Sequence, residues 1–106
     1  MASATTTAHQ LERLLKEFLR NVPSDELSQA EKQTVQQIRL ACHEIKLDVR
    51  DYTYAQTRAE QLKWAELGRH NLAVLHALLL SLDAVFSPAD IAQFGAYVDE
   101  LSSSLQ

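Results

Sequence analysis

A seven-residue hydrophobic repeat in the first half of the chain limits what this sequence can fold into. It follows Ser28-Gln29-Ala30-Glu31, which has the spacing of a helix-starting capping box. The repeat places apolar side chains at successive intervals of 3, 4, 3, 4 and 3 residues, at Val35, Ile38, Cys42, Ile45, Val49 and Tyr52. Such a repeat predicts a helix that packs nearly parallel or antiparallel to another helix.

The end of this helix must be inferred without a helix-breaking residue, because no Gly or Pro lies between Ser24 and Leu67. An unbroken helix to Phe86 would be roughly 90 Å long at 1.5 Å per residue, too long for the rest of the chain to cover. The repeat fails after Tyr52, and the poor helix formers Asp51 to Thr57 follow it. We predict a turn in this interval, between helices at about 28–52 and 57–85.

Two shorter helices are predicted on either side of this hairpin. The first, at about 8–21, carries a leucine-rich stripe and ends before Pro23; the second, at about 88–104, starts from Ser87-Pro88. With only two glycines and two prolines, the chain lacks the turn residues of a sandwich or barrel. The sequence therefore predicts a single all-α domain over residues 1–106, a four-helix assembly with a disordered tail at residues 1–7. The apolar segment from Leu72 to Phe86 is expected to be the most buried element.

The unequal helix lengths predict where a binding surface lies. If the short helices cover the open end of the hairpin, the turn end, at about residues 44–66, is left bare. Exposed aromatic side chains and arginines are typical of protein interfaces. The candidate protein-binding residues are Val49, Arg50, Tyr52, Tyr54, Arg58, Leu62, Lys63 and Trp64. We expect a non-enzymatic interaction or adaptor protein, acting as a homodimer or docking to a larger protein. In the alternative interpretation, the tyrosines pack against the interface between the two hairpin helices, and Trp64 packs under the first helix.

Charge and cysteine content narrow the function classes. The net charge of −4 argues against duplex nucleic acid as a partner, and no short helix-turn-helix with a basic recognition helix is visible. The N-terminus lacks the basic start and apolar run of a signal peptide, and the apolar stretch from Leu72 to Leu82 is too short to span a bilayer. A lone cysteine, Cys42, is consistent with a reducing compartment. We expect a soluble, cytoplasmic protein.

The sequence predicts no metal or cofactor. Glu66 and His70 share a helix face, but the Glu-x-x-His pairs of a di-metal bundle are absent. A structural zinc site would need more cysteines than one. Cys42 occupies a seam position and is expected to be a small core residue.

One string suggests a different function. Arg69-His-Asn-Leu-Ala-Val-Leu-His76 places arginine and histidine two helical turns apart on one face. It is similar to the Arg-x4-6-His motif of the HEPN superfamily, whose all-α members include ribonucleases. The resemblance covers eight of the 106 residues and implies an RNA-cleaving site at a dimer interface, with Arg69 and His76 in it. The other interpretation is that His76 is a core-facing histidine among leucines.

Overall fold

The predicted all-α architecture is confirmed in a computed structural model, which describes residues 3–106. Within that part of the chain there are four α-helices and one short 3-10 turn. The helices are α1 (Ala4–Arg20), α2 (Gln29–Thr53), α3 (Arg58–Leu80) and α4 (Pro88–Ser104), and the 3-10 turn is Ser24–Glu26.

The start of α2 and the turn between α2 and α3 agree with those predicted. The Ser28 hydroxyl accepts a hydrogen bond from the Glu31 amide at 3.1 Å, and the Glu31 carboxylate accepts one from the Ser28 amide at 2.9 Å. This is the reciprocal capping box. The turn occupies residues 54–57, within the predicted interval, and the Thr57 hydroxyl caps α3 by accepting from the Glu60 amide at 3.1 Å.

Two other boundaries were predicted wrongly. The first helix begins at Ala4, because the Ser3 hydroxyl accepts a hydrogen bond from the Thr6 amide at 3.2 Å and caps it. Residues 3–7 therefore belong to α1 and its cap instead of a disordered tail, while Met1 and Ala2 lie outside the described residues. The third helix ends at Leu80, not near residue 85. Residues 81–86 leave the helix axis in tight turns that bury Leu82 and Phe86.

The four helices alternate in direction around a single core. The pair α2–α3 makes the most extensive contact; α1 packs on α2 and α4, and α4 packs on α3 and α1. The ring is thus closed by the first and last helices. The result is an elongated up-down-up-down bundle of 47 × 25 × 18 Å.

The core consists of one buried stripe from each helix. Its open end, away from the 54–57 turn, holds the three phenylalanines of the chain: the ring centres of Phe18 and Phe94 are 4.8 Å apart, and Phe86 lies 6.2–6.3 Å from both. The buried stripe of α2 is Ile38, Cys42, Ile45 and Val49, four positions of the predicted repeat.

The second half of α3 is less buried than its composition suggests. Leu72, Leu75 and Leu79 are in the core, but Val74 and Leu80 are 39% and 52% exposed. In a ring of four helices around one core, each helix can turn only one side inward. The second half of α3 is therefore apolar on every side but buried on only one.

A polar pair and a glycine fix how α3 meets its neighbours. The Asn71 side-chain amide donates to the carboxylate of Asp48 on α2 at 2.6 Å, and Asp48 is almost fully buried. Burial raises the pKa of Asp48, and the nearby Glu44 and Asp51 carboxylates raise it further, while the bond from Asn71 lowers it.

A Cβ at Gly68 would lie 2.9 Å from Leu105 Cδ1, so the absence of a side chain there makes room for the end of the chain.

No helix among residues 3–106 is both long and apolar enough to cross a membrane.

Replacing Thr7 by Val is expected to stabilise the protein. Thr7 is fully buried, and its hydroxyl has no hydrogen-bond partner among the described residues. Valine has nearly the same shape and removes the unsatisfied group, so the free energy of unfolding should rise by about 1 kcal/mol, a shift of several degrees in Tm. Thermal unfolding followed by circular dichroism measures the change. Thr7→Ser, which keeps the hydroxyl and loses the methyl group, should lower Tm; a lower Tm for Thr7→Val would contradict the prediction.

Replacing Asp48 by Asn is expected to stabilise the protein in a pH-dependent way. The amide keeps an acceptor for Asn71 and removes the buried charge, a gain of roughly 1 kcal/mol at pH 7. The pKa of Asp48 is raised in the folded state. The wild-type protein therefore loses stability as the pH rises through that pKa, because the buried carboxylate then becomes charged. The gain should therefore shrink as the pH is lowered and Asp48 becomes protonated. Urea unfolding at several pH values tests this, with Asp99→Asn as control, because Asp99 is exposed and is not among the groups that shift the pKa of Asp48; a gain that does not vary with pH would refute it.

Candidate protein-binding surface

The turn end of the hairpin, predicted to be bare over residues 44–66, is partly covered by the other two helices: Ile45, Asp48, Val49 and Ala65 are buried, but no residue from 50 to 64 is. Because α1 starts four residues earlier than expected, its first turn reaches the end of α2, and the hydroxyl oxygens of Thr5 and Thr53 lie 3.5 Å apart. On the other side, the end of α4 reaches the same level. The open end is also sparsely covered, since no residue between 29 and 37 is buried. That stretch is mostly polar.

A clasp, formed by the side chains of Tyr52, Arg58 and Arg69, holds the last three residues. The Tyr52 hydroxyl donates to the carbonyls of Ser104 and Gln106 at 3.3 and 3.1 Å. The Arg58 guanidinium donates to the Gln106 carbonyl at 3.0 Å, and that of Arg69 donates to the Leu105 carbonyl. One of these acceptors, the Ser104 carbonyl, is left free at the C-terminus of α4, and the other two lie just beyond the helix. Tyr52 and Arg58, two of the predicted binding residues, thus have a role within the fold.

The other predicted residues are separated by the fold. Val49 is 2% exposed and belongs to the core. Leu62, Lys63 and Trp64 lie on α3, where Leu62 is exposed, Trp64 is half-buried and the Lys63 ammonium lies 5.0 Å from the Trp64 ring centre. The remaining two, Arg50 and Tyr54, lie together at the end of α2.

Tyr54 and Arg50 border a depression on the seam between α1 and α2. Tyr54 is 78% exposed, the largest fraction among the large apolar and aromatic side chains described. The depression has a volume of about 320 Å³. Ala8 and Val49 form its apolar floor, and the other residues around it are Thr5, His9, Lys46, Arg50 and Tyr54. It has a size suited to a large side chain or a small ligand.

A second, smaller depression lies on the same seam. Its volume is about 150 Å³, and Leu15, Leu19 and Cys42 supply its apolar lining, together with Glu12, Lys16, Arg39 and His43. Burial raises the pKa of the Cys42 thiol to about 11, and the Glu12 carboxylate adds to that shift. The thiol is therefore not activated as a nucleophile. We call the seam with both depressions the α1–α2 groove.

An ion pair crosses the α1–α2 groove between the two depressions. The Lys46 ammonium lies 2.8 Å from the Glu12 carboxylate, and Lys16 approaches the same carboxylate at 3.6 Å. The hydrogen bond from Lys46 lowers the pKa of Glu12, and the same bond raises the pKa of Lys46. Both groups stay charged at neutral pH, so the pair connects α1 to α2.

The basic side of this groove was overlooked at the sequence level, although a signal for it exists. Arg39, His43, Lys46 and Arg50 recur along α2 at intervals of 4, 3 and 4 residues, beside the hydrophobic repeat. Helical spacing alone identifies such a stripe. It does not tell which neighbouring helix lies beside the stripe. In addition, α1 was predicted to begin at about residue 8, whereas it begins at Ala4.

Arg69 and His76 both face α4. Besides the bond from Arg69 to the Leu105 carbonyl, the His76 ring lies over Gly95, where an added Cβ would be 3.7 Å from Nε2. Both side chains are half-buried. Packing against α4 accounts for the placement of each.

Among the described residues, no three histidine, cysteine or acidic side chains come together as a metal site would require. A comparison of the chain with protein-family models found no match, and comparisons with curated proteins and with solved structures found none either.

Removing the clasp should loosen the end of the chain without unfolding the bundle. In a variant that combines Tyr52→Phe and Arg58→Gln, the carbonyls of residues 104 and 106 lose their side-chain donors. We expect faster amide hydrogen exchange at Leu105, whose amide donates to the Leu101 carbonyl, and a loss of stability of no more than about 1–2 kcal/mol, because the bonds of the clasp are largely solvent-exposed. Exchange measured by NMR tests this. Tyr97→Phe, in the middle of α4, is the control; unchanged exchange at Leu105 would contradict the role given to the clasp.

Proposed function

We propose that this chain is a non-enzymatic interaction or adaptor module, which works as a homodimer or by docking to a larger protein through the turn end of its helical hairpin. The observation that carries the proposal is the position of Tyr54. An aromatic side chain that is 78% exposed, at a turn and beside a depression, is of the type that anchors protein interfaces.

The surroundings of Tyr54 support the same proposal. Among residues 3–106, the one ion pair of the Arg50 side chain, which is 61% exposed, is with the neighbouring Asp51 carboxylate at 3.5 Å. An ion pair this exposed contributes little, so the guanidinium is free to meet a partner. Aromatic and arginine side chains together make up the usual centre of a binding surface.

Arg69 and His76 have no catalytic role in this proposal, because packing against α4 accounts for both. The nuclease-like alternative depends on those two residues. No observation in the structure favours it over the interaction module.

A Tyr54→Ala variant tests the proposal. We expect the wild-type protein either to sediment as a dimer or to capture a stoichiometric partner from an extract of its native cells. Loss of an anchoring aromatic costs about 2 kcal/mol, so the variant should associate about 30-fold more weakly. Analytical ultracentrifugation and quantitative affinity capture give the two readouts.

The matched control is Leu80→Ala, which shortens another exposed apolar side chain, at the opposite end of the bundle. It should keep the association of the wild type. Circular dichroism establishes that both variants are folded. A wild-type protein that remains a monomer and captures nothing in a Tyr54-dependent manner would disprove the proposal.

A further inference from the structure

The two depressions of the α1–α2 groove are spaced like successive anchor points for a helix. On α1, Ala8 borders the first depression and Leu15 the second; on α2 the corresponding residues are Val49 and Cys42. Both pairs are seven residues apart, which is two helical turns or about 10 Å. Side chains at positions i and i+7 of a third helix have the same spacing.

The α1–α2 groove is basic on a chain that is acidic as a whole. Four Lys or Arg side chains line the two depressions, Lys46 and Arg50 at the first, Lys16 and Arg39 at the second, and the only carboxylate among the lining residues is Glu12. The chain carries a net charge of −4. The local excess of positive charge therefore favours an acidic partner at this position.

We propose that the α1–α2 groove binds an acidic amphipathic α-helix of a partner protein, with two apolar side chains seven residues apart seated in the two depressions. Carboxylates on the flanks of that helix pair with Arg50 and Arg39. This inference rests on the proposed interaction function and names the chemistry of the partner. Docking of an amphipathic helix into a groove between two helices is a common mode of peptide recognition.

The floor of the groove distinguishes a protein helix from other anionic ligands. Ala8, Leu15, Val49 and Cys42 present apolar surface between the cations. Nucleic acid would gain little from that surface, since its affinity depends mainly on phosphate contacts with Lys and Arg. An apolar floor with a charged border instead fits a helix that has one apolar and one acidic face.

Among residues 3–106, a second copy of this chain offers no helix that is both acidic and apolar at this spacing: α3 exposes Leu67 and Val74, seven residues apart, but it carries three Lys or Arg side chains against two carboxylates. The acidic helix of the chain, α4, turns the small residues Ala92 and Ala96 outward and keeps Phe94, Val98 and Leu101 in its own core. Alanines are too short to fill either depression. The occupant is therefore a helix from another protein.

The test uses two synthetic helical peptides and the full chain. The acidic peptide has two leucines seven residues apart on one face and glutamates beside them; the basic peptide has lysine in place of each glutamate. We expect the acidic peptide to bind, with NMR shift changes confined to α1 and α2, and the basic peptide to bind at least tenfold more weakly. Fluorescence anisotropy of the labelled peptides gives the affinities.

Four variants examine the role of charge. Arg50→Gln and Arg39→Gln should each weaken binding of the acidic peptide about two- to fivefold. Glu12→Gln, which removes the carboxylate and frees Lys46, should strengthen it. Arg13→Gln removes an exposed cation of α1 that lines neither depression and should have no effect. Binding should also weaken with added salt.

Equal affinities for the two peptides, or shift changes on α3 and α4 instead of the groove, would overturn the inference. Self-association that is lost in Arg50→Gln and Arg39→Gln would overturn it in favour of a second copy. If the acidic peptide fails to bind while partner capture still depends on Tyr54, the inference fails and the proposed function stands. If the acidic peptide fails to bind and no partner capture depends on Tyr54, both the inference and the proposed function fail.

Discussion

The packing of α2 against α3 is the contact on which the rest of this structure depends. It is the most extensive helix pair, and its inner side receives α1 and α4. Because a four-helix ring has one core, each helix contributes a single buried stripe, and everything outside that stripe becomes surface. The two depressions exist because α1 and α2 meet only along their buried sides, where the small residues Ala8 and Cys42 leave space.

Local signals in the sequence were enough to predict the fold class and most of the helix ends. The capping box at Ser28 and the poor helix formers before Thr57 act within a few residues, and their outcome did not depend on the rest of the fold. The start of α1 was missed because a run of small polar residues resembles a tail, although Ser3 is a good helix cap. The end of α3 was missed because burial of Leu82 and Phe86, a tertiary effect, bends the chain after Leu80.

The candidate site was less predictable, since it depends on which helices become neighbours. Tyr54 and Arg50 were identified from residue type and from the position of the turn. Val49 was predicted to lie at the surface because the turn end was predicted to be bare, but it is buried beside the first turns of α1. The cations on the α2 side of the groove form a regular stripe in the sequence. Whether these cations border a groove depends on the position of α1, and the spacing of residues within α2 does not reveal that position.

Both ends of the described chain lie beside the 54–57 turn: Thr5 is next to Thr53, and Tyr52 holds the last residues. This shared location determines how the bundle responds to mechanical load. A force that pulls residues 3 and 106 apart acts first on the clasp and on the first turn of α1, so the outer helices peel from the hairpin one contact at a time. The α2–α3 pair carries no direct load until α1 and α4 have both separated from it. The fold is therefore mechanically soft along the line joining its ends, and the hairpin is its most force-resistant part.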